Sequence, residues 1–505
     1  MRRFPKAIAA FLLTAALAGT AAAEKTLPVN DPSAPGVFDQ PSAAVSGSTV
    51  HVACIGAASA AGPFRVYYAA IGGGTNFSDL TLTRARAGFL LTPLTALDNA
   101  AAGNNAYVDA RHPQIAMLSS REAVILFQAK PAASPDPSWV LYLARLSLDN
   151  NAVVRQTVRM VTGIGGFQED PSFALVATDN TARAAYAGRP ATAGEFQVYY
   201  ARISLASAAV TGFPGTAILL SSAAGSAGSR PLPSLKLDPQ RRAHVAWAAN
   251  DNTLSPNGIY YAMVKEANGA ETAAIAATEI LGRSRKWGFP NLLVSSASSI
   301  LIFAADESLP GTAGNVGMVN LNPSAAAQDG NPVQISLDTR FLLTPPGEAI
   351  LPDGFNVFRP AAFLDALGQV HMTGYGSGGT RSTYYAFKPS KTYPYASFAK
   401  TPSPVGLDST EFPVSLDGDH TRAAFGFLSG GKAVVFWSGD NTVTGNRNLD
   451  VTGIPTASAI PVDESGCAVA AHPAKRPKSA ADALLPLLPL AFLGIRRIAS
   501  RALGN

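Results

Sequence analysis

A chain of 505 residues, 47% hydrophobic and 14% charged, with 45 Gly, 37 Pro and two Cys, is long enough to bury large cores. Its low charge and its supply of apolar and aromatic residues exclude a disordered polymer, and two cysteines exclude a disulfide-stapled scaffold. The formal net charge of +5 belongs to the ends: residues 1–23 and 461–505 contribute +3 each, leaving −1 for residues 24–460, so no basic stripe points to nucleic acid.

Residues 1–23 combine Arg2, Arg3 and Lys6 with an apolar stretch from Ala7 to Ala18 and the small run Ala21-Ala22-Ala23. That order predicts a secretory signal peptide cleaved after Ala23, and hence an exported protein; a structural helix is the competing reading.

From residue 24 to 455 one unit recurs: a proline, an alternating apolar strand, a polar turn, a second apolar strand and often an aromatic third strand. In its fullest copy Pro233-Ser234-Leu235-Lys236-Leu237-Asp238-Pro239 is followed by His244-Val245-Ala246-Trp247 and Ile259-Tyr260-Tyr261-Ala262. The opening prolines are Pro41, Pro113, Pro171, Pro233, Pro290, Pro360 and Pro413. The third strand returns as Val66–Ala69, Leu141–Ala144, Val198–Ala201 and Thr383–Ala386, and is degenerate at Val316–Val319. Period-two alternation bounded by Gly, Ser, Asn and Asp predicts antiparallel strands. Repeated radially, such units predict an all-β, seven-bladed β-propeller, with residues 24–38 or 440–455 as candidates for the strand that closes the ring.

These segments resemble the repeats of bacterial sialidase-like (BNR-type) propellers over most of residues 39–440. The family's Asp box, Ser-x-Asp-x-Gly-x-x-Trp, is absent, and Ser415-Leu416-Asp417-Gly418 is a partial echo of it. The resemblance therefore implies a fold and does not carry an activity. Sialidases place three arginines on a substrate carboxylate. Here Arg111, Arg230 and Arg359 stand two, three and one residues before their prolines, and that shift of register argues against a triad.

The position two before the proline holds Asp39, Arg111, Glu169 and Glu411, in four copies that are contiguous in a closed ring. As an acidic arc with one Arg at a channel mouth it would suit a cation or a polar, sugar-like ligand. The competing reading is charges that solvate strand ends or pair with one another. His51, His244 and His371 recur at the start of the second strand, too dispersed to surround one metal, and read as structural repeat residues. No His-Glu-x-x-His or Cys-x-x-Cys occurs, so neither a metal site nor a cofactor is expected. Gly426–Lys432 has the spacing of a phosphate-binding loop, but Ala433 replaces the required Ser/Thr and the flanks are strand-like, so a hairpin turn is expected. Cys54 lies in an apolar run and reads as a buried thiol.

Residues 456–482 read as a linker carrying Gly466 and Cys467. Residues 483–501 form an apolar segment interrupted by Pro486 and Pro489 and ending in Arg496 and Arg497. Cys, apolar segment and Arg cluster in that order resemble the C-terminal sorting signals of bacterial surface proteins, of the JDVT-CTERM and MYXO-CTERM types. The resemblance implies processing or lipid attachment at Gly466-Cys467 by a sorting protease, with the short helix and the Arg cluster held in the membrane. A plain membrane tail is the alternative. The functional expectation is an exported cell-envelope propeller that binds a glycan or protein ligand or acts as a scaffold. A glycan-active hydrolase and a purely structural surface protein are the alternatives.

Overall fold

The computed structural model describes residues 26–28, 36–47, 49–59, 61–72, 90–91, 95–97, 106–132, 138–189, 195–211, 215–221, 231–249, 258–267, 270–282, 286–296, 299–306, 316–323, 356–364, 370–377, 381–388, 405–406, 424–428, 432–440 and 447–454. The expected signal peptide, Arg230, Glu411, Pro413, the partial Asp box and the whole C-terminal sorting segment, including Gly466, Cys467, Arg496 and Arg497, lie outside the described residues.

The described chain is almost wholly strand, with one 3-10 turn at Ala177–Asp179. After β1 (Thr26–Pro28) a first group comprises β2 (Val37–Ser46), β3 (Thr49–Ala57) and β4 (Arg65–Gly72), with β5 (Leu90–Leu91) and β6 (Thr95–Ala96) both paired to β4. The second group is β7 (Tyr107–Ser119), β8 (Glu122–Pro131), β9 (Val140–Asp149) and β10 (Ala152–Met160). The third is β11 (Phe167–Val176), β12 (Thr181–Arg189), β13 (Gln197–Ser204) and β14 (Ile218–Leu219). The fourth is β15 (Ser234–Leu237), β16 (Ala243–Ala249), β17 (Gly258–Ala267) and β18 (Ala270–Leu281), and the fifth is β19 (Trp287–Ser296), β20 (Ser299–Asp306) and β21 (Val316–Leu321). Next come β22 (Asn356–Leu364), β23 (Val370–Ser377), β24 (Arg381–Lys388) and β25 (Val405–Gly406), then β26 (Ala424–Leu428), β27 (Lys432–Asp440) and β28 (Arg447–Ile454).

Within each group the strands pair antiparallel with their neighbours in sequence. The first strands also follow one another around a circuit: β2 lies against β7, β7 against β11, β11 against β15, β15 against β19, β19 against β22, β22 against β26, and β26 against β2. Sheets stacked about an axis with their first strands innermost form a β-propeller. The circuit is fastened by β1, which pairs with β28 (Thr26↔Thr452, Pro28↔Asp450), while β2 shares one parallel bridge with β28 (Val37↔Arg447). Both segments named from sequence as candidate closers thus meet in one sheet.

Among the described residues the hydrophobic cores lie between neighbouring groups, and the sheets of the first four groups bury both faces. Tyr68 of the first group packs with Phe127 and Tyr142 of the second, and Leu126 of the second with Tyr186 and Ile203 of the third. Tyr200 of the third packs with Trp247 of the fourth, and Tyr261 of the fourth with Ile302 of the fifth. Val52 and Cys54 of the first group meet Phe436 and Leu449 of the last, which continues the packing across the closure.

The repeat prolines have a structural cause. In β2, β7, β11, β19 and β22 the ladder shifts register at the proline, as between Asp39 and Ser42 or between Arg111 and Gln114. The preceding residue is left-handed in five successive copies: Gln40 (φ 54°), His112 (51°), Asp170 (47°), Leu232 (44°) and Phe289 (50°). A residue before proline is barred from the right-handed helical region, and a bulge absorbs the unusual backbone while bending the strand. The residue after the proline then links the groups, because a first strand has no strand on its inner edge and its amides need acceptors. Ser42 Oγ accepts from the Ile115 amide (3.1 Å), Ser172 Oγ from Leu235 (2.9 Å), Ser234 Oγ from Leu292 (3.1 Å), and Asn291 Oδ1 from Ala362 (3.2 Å). Each acceptor belongs to one group and each donor to the next.

Candidate functional site

The two ends of the strands differ in their connections. At one end β2 and β3 are joined by residues 47–48, β7 and β8 by 120–121, and β19 and β20 by 297–298. At the other end residues 58–64, 132–139, 190–196 and 250–257 link second strands to third. Long connections on a rigid scaffold are where binding residues concentrate. The first strands begin at this long-connection end, which places Asp39, Arg111 and Glu169 there.

Two of those three side chains meet. Arg111 Nη2 of β7 lies 3.0 Å from Glu169 Oε2 of β11, with side-chain exposures of 28% and 20%. Asp39 is instead buried in β2, where its Oδ1 accepts the Gln40 amide at 2.6 Å. Burial, with the Asp39 charge adding to it, pushes the Cys54 thiol well above the usual range, and Cys54 is the buried free cysteine expected from its surroundings.

A second layer runs beneath this pair, made by the left-handed residues just before the prolines. Gln40 Oε1 accepts the His112 amide at 2.6 Å, and His112 Nδ1 lies 2.6 Å from Asp170 Oδ1 and 3.0 Å from Gln128 Oε1. Gln128 Oε1 also accepts the Asp170 amide at 2.7 Å. All four side chains are buried, so the first three groups are joined by a continuous polar seam. The Gln128 Nε2 donor has no partner among the described residues. The fourth and fifth groups carry half-buried Leu232 and Phe289 at the same backbone position.

Aromatic rings complete the junction of the second and third groups. The Arg111 guanidinium stands 3.9 Å from the Trp139 ring centroid and Lys130 Nζ 4.7 Å from it. Lys130 Nζ also lies 3.7 Å from Asp109 Oδ2, and Asp109 Oδ1 accepts the Phe64 amide from the long connection of the first group at 3.0 Å. Gln168 fixes the surroundings: its backbone amide donates to Trp139 O (2.9 Å), its Oε1 accepts from Leu141, and its Nε2 donates to Gly166 O (3.0 Å). Across β11 and β12, Arg189 is the partner of Phe167 and stacks between Phe167 and Phe196, 4.9 and 4.5 Å from their centroids.

The repeated histidines act inside the sheets. His51 Nδ1 and Tyr68 Oη are 2.7 Å apart, as are His244 Nδ1 and Tyr261 Oη. Burial pulls His51 down to about 4. Asp238 adds a contact to His244 Nε2 at 3.2 Å; burial opposes its ionisation, but hydrogen bonds from His244 and Arg242 outweigh that and hold Asp238 at about 2. By register His371 and Tyr385 occupy the corresponding places on β23 and β24. Gly426–Leu428 and Lys432 lie on the paired antiparallel strands β26 and β27, with Leu428 opposite Lys432, in keeping with the strand-like flanks read from sequence. Among the described residues no group of three His, Cys, Asp or Glu side chains could hold a metal.

Position two before the proline was legible from the repeat, but Gln40, His112 and Asp170, one residue on, were not singled out, although the same alignment displays them. Gln128, Trp139 and Arg189 carry no sequence signal of this kind, because they lie on other strands and connections and reach the site only through sheet pairing and packing.

The sequence matches no protein-family model and no curated protein. Among solved structures, a protein of unknown function from Dyadobacter fermentans is 9% identical, with 86% of this chain and 98% of that one covered and a TM-score of 0.49. The parainfluenza virus 5 hemagglutinin-neuraminidase ectodomain is 8% identical, covering 86% and 83%, with a TM-score of 0.42. The β-propeller domain of the Trilobed protease from Pyrococcus furiosus is 10% identical, covering 83% and 93%, with a TM-score of 0.38. Likenesses this weak assign neither an activity nor a ligand to the chain.

Proposed function

We propose that the chain is an exported, seven-bladed binding propeller of the cell envelope, with sialidase-like repeats, whose long-connection face takes a polar, sugar-like ligand at the junction of the second and third blades. Of the set expected from sequence, Asp39, Arg111, Glu169 and Glu411, the ligand would meet Arg111 and Glu169 beside Trp139, while Asp39 is buried and Glu411 lies outside the described residues. The observation that carries this reading is that the carboxylates at this junction are already held by neighbours or buried. Arg111 holds Glu169 at 3.0 Å, His112 holds Asp170 at 2.6 Å, and Asp39 and Asp170 are buried. Most glycoside hydrolases, sialidases with their tyrosine nucleophile excepted, need two carboxylates that both reach the scissile bond, about 5–9.5 Å apart. Carboxylates already paired or sealed from solvent suit recognition rather than turnover.

The test is glycan-array binding by the full chain with fluorogenic glycosidase assays in parallel. Binding without turnover supports the reading, and turnover overturns it in favour of the hydrolase alternative. Anchoring or processing at Gly466-Cys467, with Arg496-Arg497 on the cytoplasmic side, is part of the same proposal. Replacing Cys467→Ser should shift the protein between membrane and soluble fractions.

A further inference from the structure

We propose that the outer edge of β10 is a docking strand for an extended acidic segment of a partner protein, which adds to the second group as a fifth strand. The inference is independent of the ligand assigned to the long-connection face.

The backbone supplies the template. β10 ends its four-stranded sheet, with β9 as its strand neighbour. In an antiparallel ladder hydrogen-bonded pairs alternate with non-bonded ones, and two bonds fix which are which: the Leu148 amide donates to Arg121 O and the Val161 amide to Leu141 O. Arg155, Thr157 and Arg159 therefore exchange their bonds with Ser147, Arg145 and Leu143 of β9, and the N–H and C=O groups of Gln156 and Val158 point to the open edge. Edge groups of this kind are what an added strand bonds. The single register shift of β10, between Val153 and Arg155, lies ahead of this stretch. Among the described residues the other outer strands offer less. β6, β14 and β25 have two residues each, β18 shifts register three times, and β28 carries β1. β21 has six residues and no charge.

Charge selects the occupant. β10 carries Arg155 and Arg159, both exposed, and no acid. Arg155 makes neither an ion pair nor a hydrogen bond among the described residues, and Arg159 Nη1 donates to a backbone carbonyl, Ala206 O, at 2.6 Å. Arg145, opposite Thr157, is held by Glu122. Arg155 and Arg159 lie on one face of the strand with Thr157 between them, so a partner strand with carboxylates at alternate positions sets one opposite each. A second copy of β10 fits poorly. Antiparallel self-pairing centred on Thr157 places Arg155 against Arg159, and like charges directly opposite are destabilising. Nor does β18 of a second copy supply free acid, since Glu271 is held by Arg183 and Tyr200 and Glu279 by Tyr260.

The experiment is fluorescence-polarisation titration of the full chain with the labelled peptide Thr-Val-Glu-Val-Glu-Val-Glu-Val-Thr and with its Glu→Gln counterpart. The acidic peptide should bind about fivefold or more tightly at low salt, as two or three cross-strand ion pairs imply. With its glutamates opposite Arg155 and Arg159, its valines are the residues that bond the edge. N-methylation of the valines should abolish binding, and N-methylation of the glutamates should not. Bound peptide should also slow amide exchange across residues 155–160. These arms need no variant; Arg155→Glu combined with Arg159→Glu should remove the preference for the acidic peptide while melting at the wild-type temperature. Equal affinity for the two peptides, binding indifferent to valine N-methylation, or a preference that survives the double variant would each overturn the inference. So would self-association in sedimentation that the double variant abolishes, which makes a second copy the occupant.

Discussion

Two neighbouring junctions place their charge at opposite ends of the strands. Between the second and third groups, Arg111, Glu169, His112 and Asp170 lie at the long-connection end, and the outer pair is partly open to solvent. Between the third and fourth groups the charge lies at the short-turn end. There Arg183, 2% exposed, bonds through Nε to Glu271 (2.8 Å) and through Nη2 to Asp179 (3.0 Å), Arg202 joins Asp179 (2.7 Å), and Tyr200 donates to Glu271 (2.9 Å). Burial pushes the Glu271 carboxyl up, against the pull of Arg183. At its long-connection end this second junction has the Ser172 link and Leu232 instead. A closed ring must be stapled at every junction, and these two do it differently: one buries an arginine, Arg183, and a carboxylate, Glu271, beneath the part-exposed Asp179 and Glu266, and the other buries the His112–Asp170 contact beneath the part-exposed pair Arg111 and Glu169.

Substitutions can break this contrast in graded steps. The largest effect is expected from Arg183→Leu, which leaves buried Glu271 without its guanidinium partner while Asp179 keeps Arg202; a loss of about 3–5 kcal/mol should appear as a lower denaturation midpoint, with glycan binding by the remaining folded protein unchanged. Asp170→Ala removes the partner of buried His112 and should cost about 1–3 kcal/mol in the same measurement, while also weakening ligand binding because the seam beneath Arg111 is lost.

Acid sharpens the comparison from another side. His51 is neutral in the fold, at about 4, against 6.5 in the unfolded chain, so between those values the unfolded state binds more protons. Its contribution is therefore complete above pH 6.5 and declines as pH falls toward 4, by roughly 1.4 kcal/mol per pH unit. His51→Gln should flatten that decline, read from midpoints at pH 7 and pH 5. Ser234→Ala leaves the Leu292 amide without its acceptor and should cost about 1 kcal/mol. Smallest in stability is Glu169→Gln: a partly exposed pair contributes about 1 kcal/mol or less, so the midpoint should hardly move while glycan binding falls.

How much of this was readable in advance follows from the same residues. The repeat itself was legible, since a proline followed by alternating strands marks each first strand, and the Pro-Ser or Pro-Asn step at Ser42, Ser172, Ser234 and Asn291 was in plain view without its meaning. That meaning needs the neighbouring group, because the amide each side chain serves lies some 58 to 73 residues further along. Face assignments made by counting in twos fail across the proline, where the bulge inserts extra residues; this is why Gln40, His112 and Asp170 form a seam that simple alternation does not reveal. Arg189 belongs to a third class, meeting Phe167 and Phe196 only after β12 has paired with β11 and β13 has returned.

The latch of β1 onto β28 also governs when the molecule can be finished. Thr26–Pro28 must wait for Arg447–Ile454, roughly 420 residues downstream, before its backbone finds its strand partner, so this latch is a contact of very high sequence separation, the kind that is slow to form. A nascent chain can assemble its intermediate sheets one after another, yet until Arg447–Ile454 emerges the assembly remains an open arc with two unsatisfied rims.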